Sequence, residues 1–96
     1  MAVEVRNDFG GVFLISVSVN PASLGAGTVA NTTVAHADIR ANDLVVPIPP
    51  PALEAGVVIQ GCHSVQNGQF SLRLYNPTAG AVDPAAATWQ FLVFRR

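Results

Sequence analysis

The chain contains no lysine, and its five basic residues are all arginines, set against six acids for a net charge of −1. No basic stripe can form from so few cations, which excludes recognition of a nucleic-acid backbone and of an anionic lipid surface. Cysteine occurs once, as Cys62, so an internal disulfide is excluded. A single strand cysteine packs as a small hydrophobe, and Cys62 is expected to be buried and inert. No apolar run approaches the ~18 residues that a membrane-spanning helix needs. Met1 to Arg6 lacks the basic, apolar and cleavage regions of a signal peptide, so the product is expected to be made in a cytoplasm. Phosphate-binding and nucleophile-elbow motifs are missing. The acids Glu4, Asp8, Asp38, Asp43, Glu54 and Asp83 show no acid/base spacing. No enzyme activity, cofactor, metal site or small-molecule substrate is therefore expected.

Charge is scarce altogether. Only 11% of the 96 residues are charged, against about 25% in average usage. Half are hydrophobic, and the mean hydropathy is +0.40. A free monomer carries more surface charge than this. The composition implies that part of the surface is buried against partners.

What the chain has is strand and turn. Val12 to Val19 alternates, with Phe13, Ile15, Val17 and Val19 on one face and Ser16 and Ser18 on the other. Thr28 to Ile39 is rich in Thr and Val, and Leu44 to Ile48 is a short strand before the stiff run Pro49-Pro50-Pro51. Pro51 to Gly56 is predicted to form one helical turn stopped by glycine. Val57 to Val65 and Phe70 to Tyr75 flank Asn67-Gly68, a dipeptide that tolerates the positive φ of a tight hairpin turn. Thr88 to Phe94 is apolar on both faces, with Trp89, Phe91 and Val93 on one and Leu92 and Phe94 on the other. Such a strand is either central in its sheet or docked on a neighbour. Six to seven strands spaced by turns, with no repeat and no long helix, predict an all-β protein. The expected form is a single small antiparallel β-sandwich, jelly-roll-like or Ig-like. Residues 1–10 would be an N-terminal arm or peripheral strand, and residues 11–96 the sandwich domain.

Few side chains suggest chemistry. His36 and Asp38 stand two apart in a predicted strand, which is metal-ligand spacing without a third ligand. A solvated polar pair is the simpler reading. His63 changes charge near neutral pH and suits a proton-sensitive interface. Asn31-Thr32-Thr33 fits a glycosylation triplet that means little without a secretory signal. Asp43 and Asp83 read as turn caps. Trp89, Tyr75 and Phe91 offer aromatic surface for sugar stacking, although aromatics on strands usually fill cores. Trp89 near a strand start also suits an interface anchor.

Several short signals occur in a recognisable order. They are Asn31-Thr32-Thr33, Arg40-Ala41-Asn42-Asp43-Leu44-Val45-Val46, Pro49-Pro50, and Leu53-Glu54-Ala55-Gly56-Val57-Val58. Asn76-Pro77-Thr78 follows, with Asp83-Pro84-Ala85-Ala86 and the closing Thr88-Trp89-Gln90-Phe91-Leu92-Val93. Over roughly residues 15–95 the chain resembles small β-sandwich structural proteins of tailed bacteriophages. It departs from them at Ala41-Asn42, where they commonly carry Gly before Asp, and at Pro47 and the triple proline. The resemblance implies a virion component made in the host cytoplasm. That component is a head decoration (cement) protein on the capsid surface, or a receptor- or glycan-binding module at a tail-fibre or spike tip. A chain that starts at Met1 without a fused shaft favours decoration. The resemblance also implies a homotrimer bound to the major capsid protein, with no catalytic residues. Two contact regions are expected. One is the arm, through Val3, Val5 and Phe9, adding a strand to a neighbour. The other is the proline segment, through Pro49, Pro50 and Leu53, which costs little entropy to order. Trp89 is the expected anchor.

Overall fold

The computed structural model describes residues 11–96. The expected arm at residues 1–10, with Val3, Val5 and Phe9, lies outside the described residues. Six strands form, namely β1 (Gly11–Val19), β2 (Thr28–Ala35), β3 (Leu44–Ile48), β4 (Val58–Gln66), β5 (Gln69–Asn76) and β6 (Ala87–Arg95). They make two three-stranded antiparallel sheets, ordered β1-β6-β3 and β2-β5-β4. The protein is an all-β sandwich. Of the two expected forms, the strand order is that of a jelly roll. The chain pairs its ends first, β1 with β6 and β2 with β5, like one long hairpin rolled up, and every connection except β4–β5 changes sheet.

Alternation explains the core. Trp89, Phe91 and Val93 of β6 face inward, opposite Phe70, Leu72 and Leu74 of β5, and all six are buried. Phe70 meets Phe91 edge to face across the sandwich at 4.9 Å and 73°, a favoured aromatic geometry. Ile15 and Val19 from β1 and Val34 from β2 complete the layer. β6 is the central strand of its sheet, with Trp89, Phe91 and Val93 on its inner face and Leu92 and Phe94 on its outer face.

Strand β4 breaks the alternation. Ile59, Cys62 and Val65 all pack on the core, three residues apart, because the register shifts twice along the strand. Each shift adds a residue opposite β5 and turns the next side chain inward. Gly61 takes φ +117° at the first shift, where a Cβ would be strained, and Ser64 takes φ +54° at the second. The hairpin turn after β4 uses a positive φ only at Gly68, at +86°. Its tip is docked as well. Gly68 N–H donates to Ile39 O (2.8 Å), and Asn67 Oδ1 accepts from Ala41 N–H (3.0 Å).

The predicted strand through Ile39 ends instead at Ala35. His36 starts a turn in which its Nδ1 accepts from the Asp38 N–H at 3.1 Å. The predicted helical turn at Pro51–Gly56 is two reverse turns, closed by Leu53 N–H to Pro50 O and Val57 N–H to Glu54 O. Asn42 takes φ +74°, a left-handed conformation that asparagine visits more readily than most residues.

Two polar devices hold the loops. Asn76 is fully buried, and its Nδ2 donates to Gly80 O (2.8 Å) and to Leu24 O and Gly25 O (3.3 Å each). Its Oδ1 accepts from the Thr78 N–H (3.0 Å) and hydroxyl (2.6 Å). One side chain thereby joins the β1–β2 loop to the β5–β6 loop, next to the Leu24–Val82 bridge. The second device is Asp43. Its Oδ2 accepts from Arg40 N–H (2.9 Å), as expected of a turn cap, and also from Arg95 (3.0 Å). Arg95 Nε reaches Oδ1 at 3.2 Å, its guanidinium also donates to Asp38 O, and it lies over the Phe13 ring.

Burial pushes the Asp43 carboxyl up, but the Arg95 hydrogen bond, the Arg40 amide and both arginine charges outweigh it and hold the group below its ordinary value. A depressed carboxyl contributes stability above its unfolded value, and that contribution is lost as pH falls through the folded value. Asp43→Asn is therefore expected to lower the thermal midpoint at neutral pH. Its deficit against wild type should shrink as the pH falls into the carboxylate range. Parallel melting curves across that range would remove this role for Asp43.

Candidate functional site

The register places nine side chains on the outer face of the β1-β6-β3 sheet in three rows. Val12, Phe94 and Leu44 are level, then Leu14, Leu92 and Val46, then Ser16, Gln90 and Ile48. Seven of the nine are apolar and none is charged. Val12 is 57% exposed, Leu14 51% and Val46 46%, with Leu44 and Ile48 also exposed. Leu92 and Phe94, on the central strand, are half-buried by their neighbours. An apolar sheet face turned to water is uncommon on a free monomer.

The opposite outer face is different. Its rows run Val29-Tyr75-Val58, Asn31-Arg73-Gly61 and Thr33-Ser71-His63. Asn31 Oδ1 accepts from Arg73 Nε (3.0 Å) and lies 2.9 Å from His63 Nε2. An amide oxygen cannot donate, so His63 carries a proton on Nε2. Its Nδ1 then accepts from the Ser64 hydroxyl at 2.8 Å when the ring is neutral. This face carries a hydrogen-bonded polar cluster around Asn31, with the exposed Val29 and Val58 beside it.

The chain matches no family model, no curated protein and no solved structure.

Two open clefts lie along the β1 and β2 margin, of about 480 Å³ and 230 Å³. The larger is lined by Phe13, Ile15, His36, Asp38 and Arg95. Of its polar groups, Arg95 is held by Asp43 and by the Asp38 carbonyl, and His36 Nδ1 by the Asp38 amide. His36 and Asp38 sit in a turn rather than on one strand face, 3.9 Å apart. Among the described residues, no three His, Cys, Asp or Glu side chains converge on a point. Cys62 faces the core, and burial pushes its thiol up to about 12, so it is not a nucleophile at neutral pH.

The expected contact residues fare unequally. Trp89 is 0% exposed within its own chain, stacked beside Phe91 (6.2 Å between centroids), so it is a core residue and not a surface anchor. The aromatic platform is not assembled, because Trp89 and Phe91 face the core and Tyr75 lies on the outer face of the other sheet. Leu53 packs against the core from the loop after β3, and Pro50 is half-buried. Pro49 is exposed, directly after Ile48 at the corner of the apolar face. Sequence reading missed Val12, Leu14, Leu44, Val46 and Ile48. The signal was present, because β1 and β3, like β6, are apolar at successive positions, and a two-layer sandwich buries only one face of each sheet.

Proposed function

We propose that this chain is a structural protein of a tailed-phage virion. It decorates the head, binds the major capsid protein lattice as a homotrimer, and stabilises the shell. The observation that carries this reading is the exposed, uncharged outer face of β1-β6-β3. Such a surface binds by burial and has no group to offer a reaction. The resemblance of the ordered short motifs to those of phage β-sandwich proteins suggests the setting. The mechanism is passive. Apolar area removed from water stabilises an assembly by roughly 25 cal/mol per Å² before the costs of association. Shell opening that separates these contacts must expose that area again. A receptor- or glycan-binding role at a fibre tip gains no support from the aromatic residues, since two of the three fill the core.

Quantitative mass spectrometry of purified virions, against the major shell protein, tests the proposal. A copy number comparable to that of the shell protein is expected. A few copies per particle would overturn decoration and move the chain to the tail tip, and absence from the virion would overturn both.

A further inference from the structure

We infer that Ser64 is an acyl-accepting nucleophile, activated by His63 and oriented through Asn31 and Arg73, and that it takes the acyl group of activated esters or thioesters. The inference goes beyond the virion reading and does not rest on it, because it concerns the other sheet.

Backbone strain builds the site. Strict alternation would turn Ser64 inward after the outward His63, yet Ser64 is exposed. The second register shift of β4 falls between His63 and Gln66, and Ser64 takes φ +54° within it, so both side chains reach the outer face. A left-handed serine is uncommon, and strain of this kind concentrates at functional sites. Three strands then orient the base, one group after another. Arg73 on β5 can only donate, so its Nε, at 3.0 Å, fixes the Asn31 amide with Oδ1 toward it. The same oxygen, on β2, accepts from His63 Nε2–H at 2.9 Å. The neutral ring is therefore held with its Nδ1 lone pair on the Ser64 hydroxyl, 2.8 Å away. A hydroxyl, a base within hydrogen-bond reach and a third group that fixes the tautomer are together the signature of an activated serine.

The chemistry closes within these groups. His63 Nδ1 takes the Ser64 proton as the hydroxyl oxygen bonds to the acyl carbon. It returns that proton to the departing oxygen or sulfur as the bond to the leaving group breaks. Water, deprotonated by the same nitrogen, then hydrolyses the acyl-Ser64 ester, and the proton goes back to the serine oxygen. His63 and Ser64 are the catalytic residues, and Asn31 and Arg73 are positioning residues. The site lies on the open outer face and neither cleft reaches it, so its reactivity comes from the base rather than from an enclosed oxyanion pocket. Acyl donors with a good leaving group, aryl esters or thioesters, are the class that suits such a site, and amides do not.

The test is p-nitrophenyl acetate added to the purified full chain, quenched in acid at short times, with the acetylated residues located by tandem mass spectrometry. The chain has no lysine to consume the reagent. Ser64 is expected to be acetylated about 100-fold faster than the exposed Ser18 and Ser23 of the same molecule. Ser64→Gly, which suits the positive φ, abolishes that adduct, and His63→Gln lowers its rate of formation about 100-fold. Asn31→Leu, which frees the ring to take either tautomer, lowers the rate about 10-fold or more. Asn31→Asp restores it, because a carboxylate still accepts from both His63 and Arg73. All variants are expected to keep the circular dichroism of wild type. Should one fail to fold, the ratio of Ser64 to Ser18 acetylation within wild type decides alone. Acetylation of Ser64 no faster than of Ser18 overturns the inference. So does an unchanged rate in His63→Gln, or the same rate in Asn31→Leu as in Asn31→Asp.

Discussion

Replacing Asn76 by aspartate is expected to cost about 4 kcal/mol or more, a large part of the roughly 5–15 kcal/mol that a domain has. The wild-type amide donates to three carbonyls while fully buried. The substitution turns that nitrogen into an oxygen, 2.8 Å from the Gly80 carbonyl and 3.3 Å from those of Leu24 and Gly25. An ionised carboxylate there would be buried against acceptors, and a neutral one could satisfy only one of the three. The pH dependence identifies the mechanism. The introduced carboxyl would have a folded-state pKa above its unfolded value. The variant is then least stable at neutral pH and recovers part of its loss as pH falls through that raised value. Asn76→Ala loses these hydrogen bonds and the two that Oδ1 accepts from Thr78, but adds no charge, so its deficit should vary little with pH. Urea titrations of the three proteins at several pH values measure both effects. Equal, pH-independent deficits in the two variants would show that Asn76 acts through shape alone.

Asn76 also shows where sequence reading stops. Asn76-Pro77-Thr78 is legible as a strand end, because proline cannot donate to a ladder. That its amide reaches back to Leu24 and Gly25 depends on a pairing between residues about fifty positions apart, which no local pattern encodes. Strands β1 and β6 are legible because each is a long apolar run of strand-forming residues, and the serines of β1 mark its outer face. The inward set of β4 is not, because two register shifts replace period two by period three. The apolar face lies between these cases. Its residues are apolar in plain view, yet they form a surface only when β1, β6 and β3 lie side by side, and that adjacency belongs to the jelly-roll order.

Trp89→Ala is expected to cost about 3–5 kcal/mol, through lost burial and the cavity left between the sheets. Trp89→Phe should cost far less, for a reason beyond size. The Trp89 Nε1 is buried without a hydrogen-bond partner, and phenylalanine removes that unsatisfied donor while keeping an aromatic ring beside Phe91. Release of an unpaired polar group offsets about 1–3 kcal/mol of the lost packing. Trp89 is the only tryptophan, so circular dichroism has to follow unfolding in both variants. The pair also separates a core role from the contact role expected of this residue. A core tryptophan changes stability and leaves the oligomer mass of the folded protein alone, whereas a contact anchor changes the mass and spares protomer stability. A stable Trp89→Ala protein that has lost its oligomer would return Trp89 to the surface. A Trp89→Phe variant as unstable as Trp89→Ala would show that the indole volume, and not its orphaned donor, dominates at the centre of the sandwich.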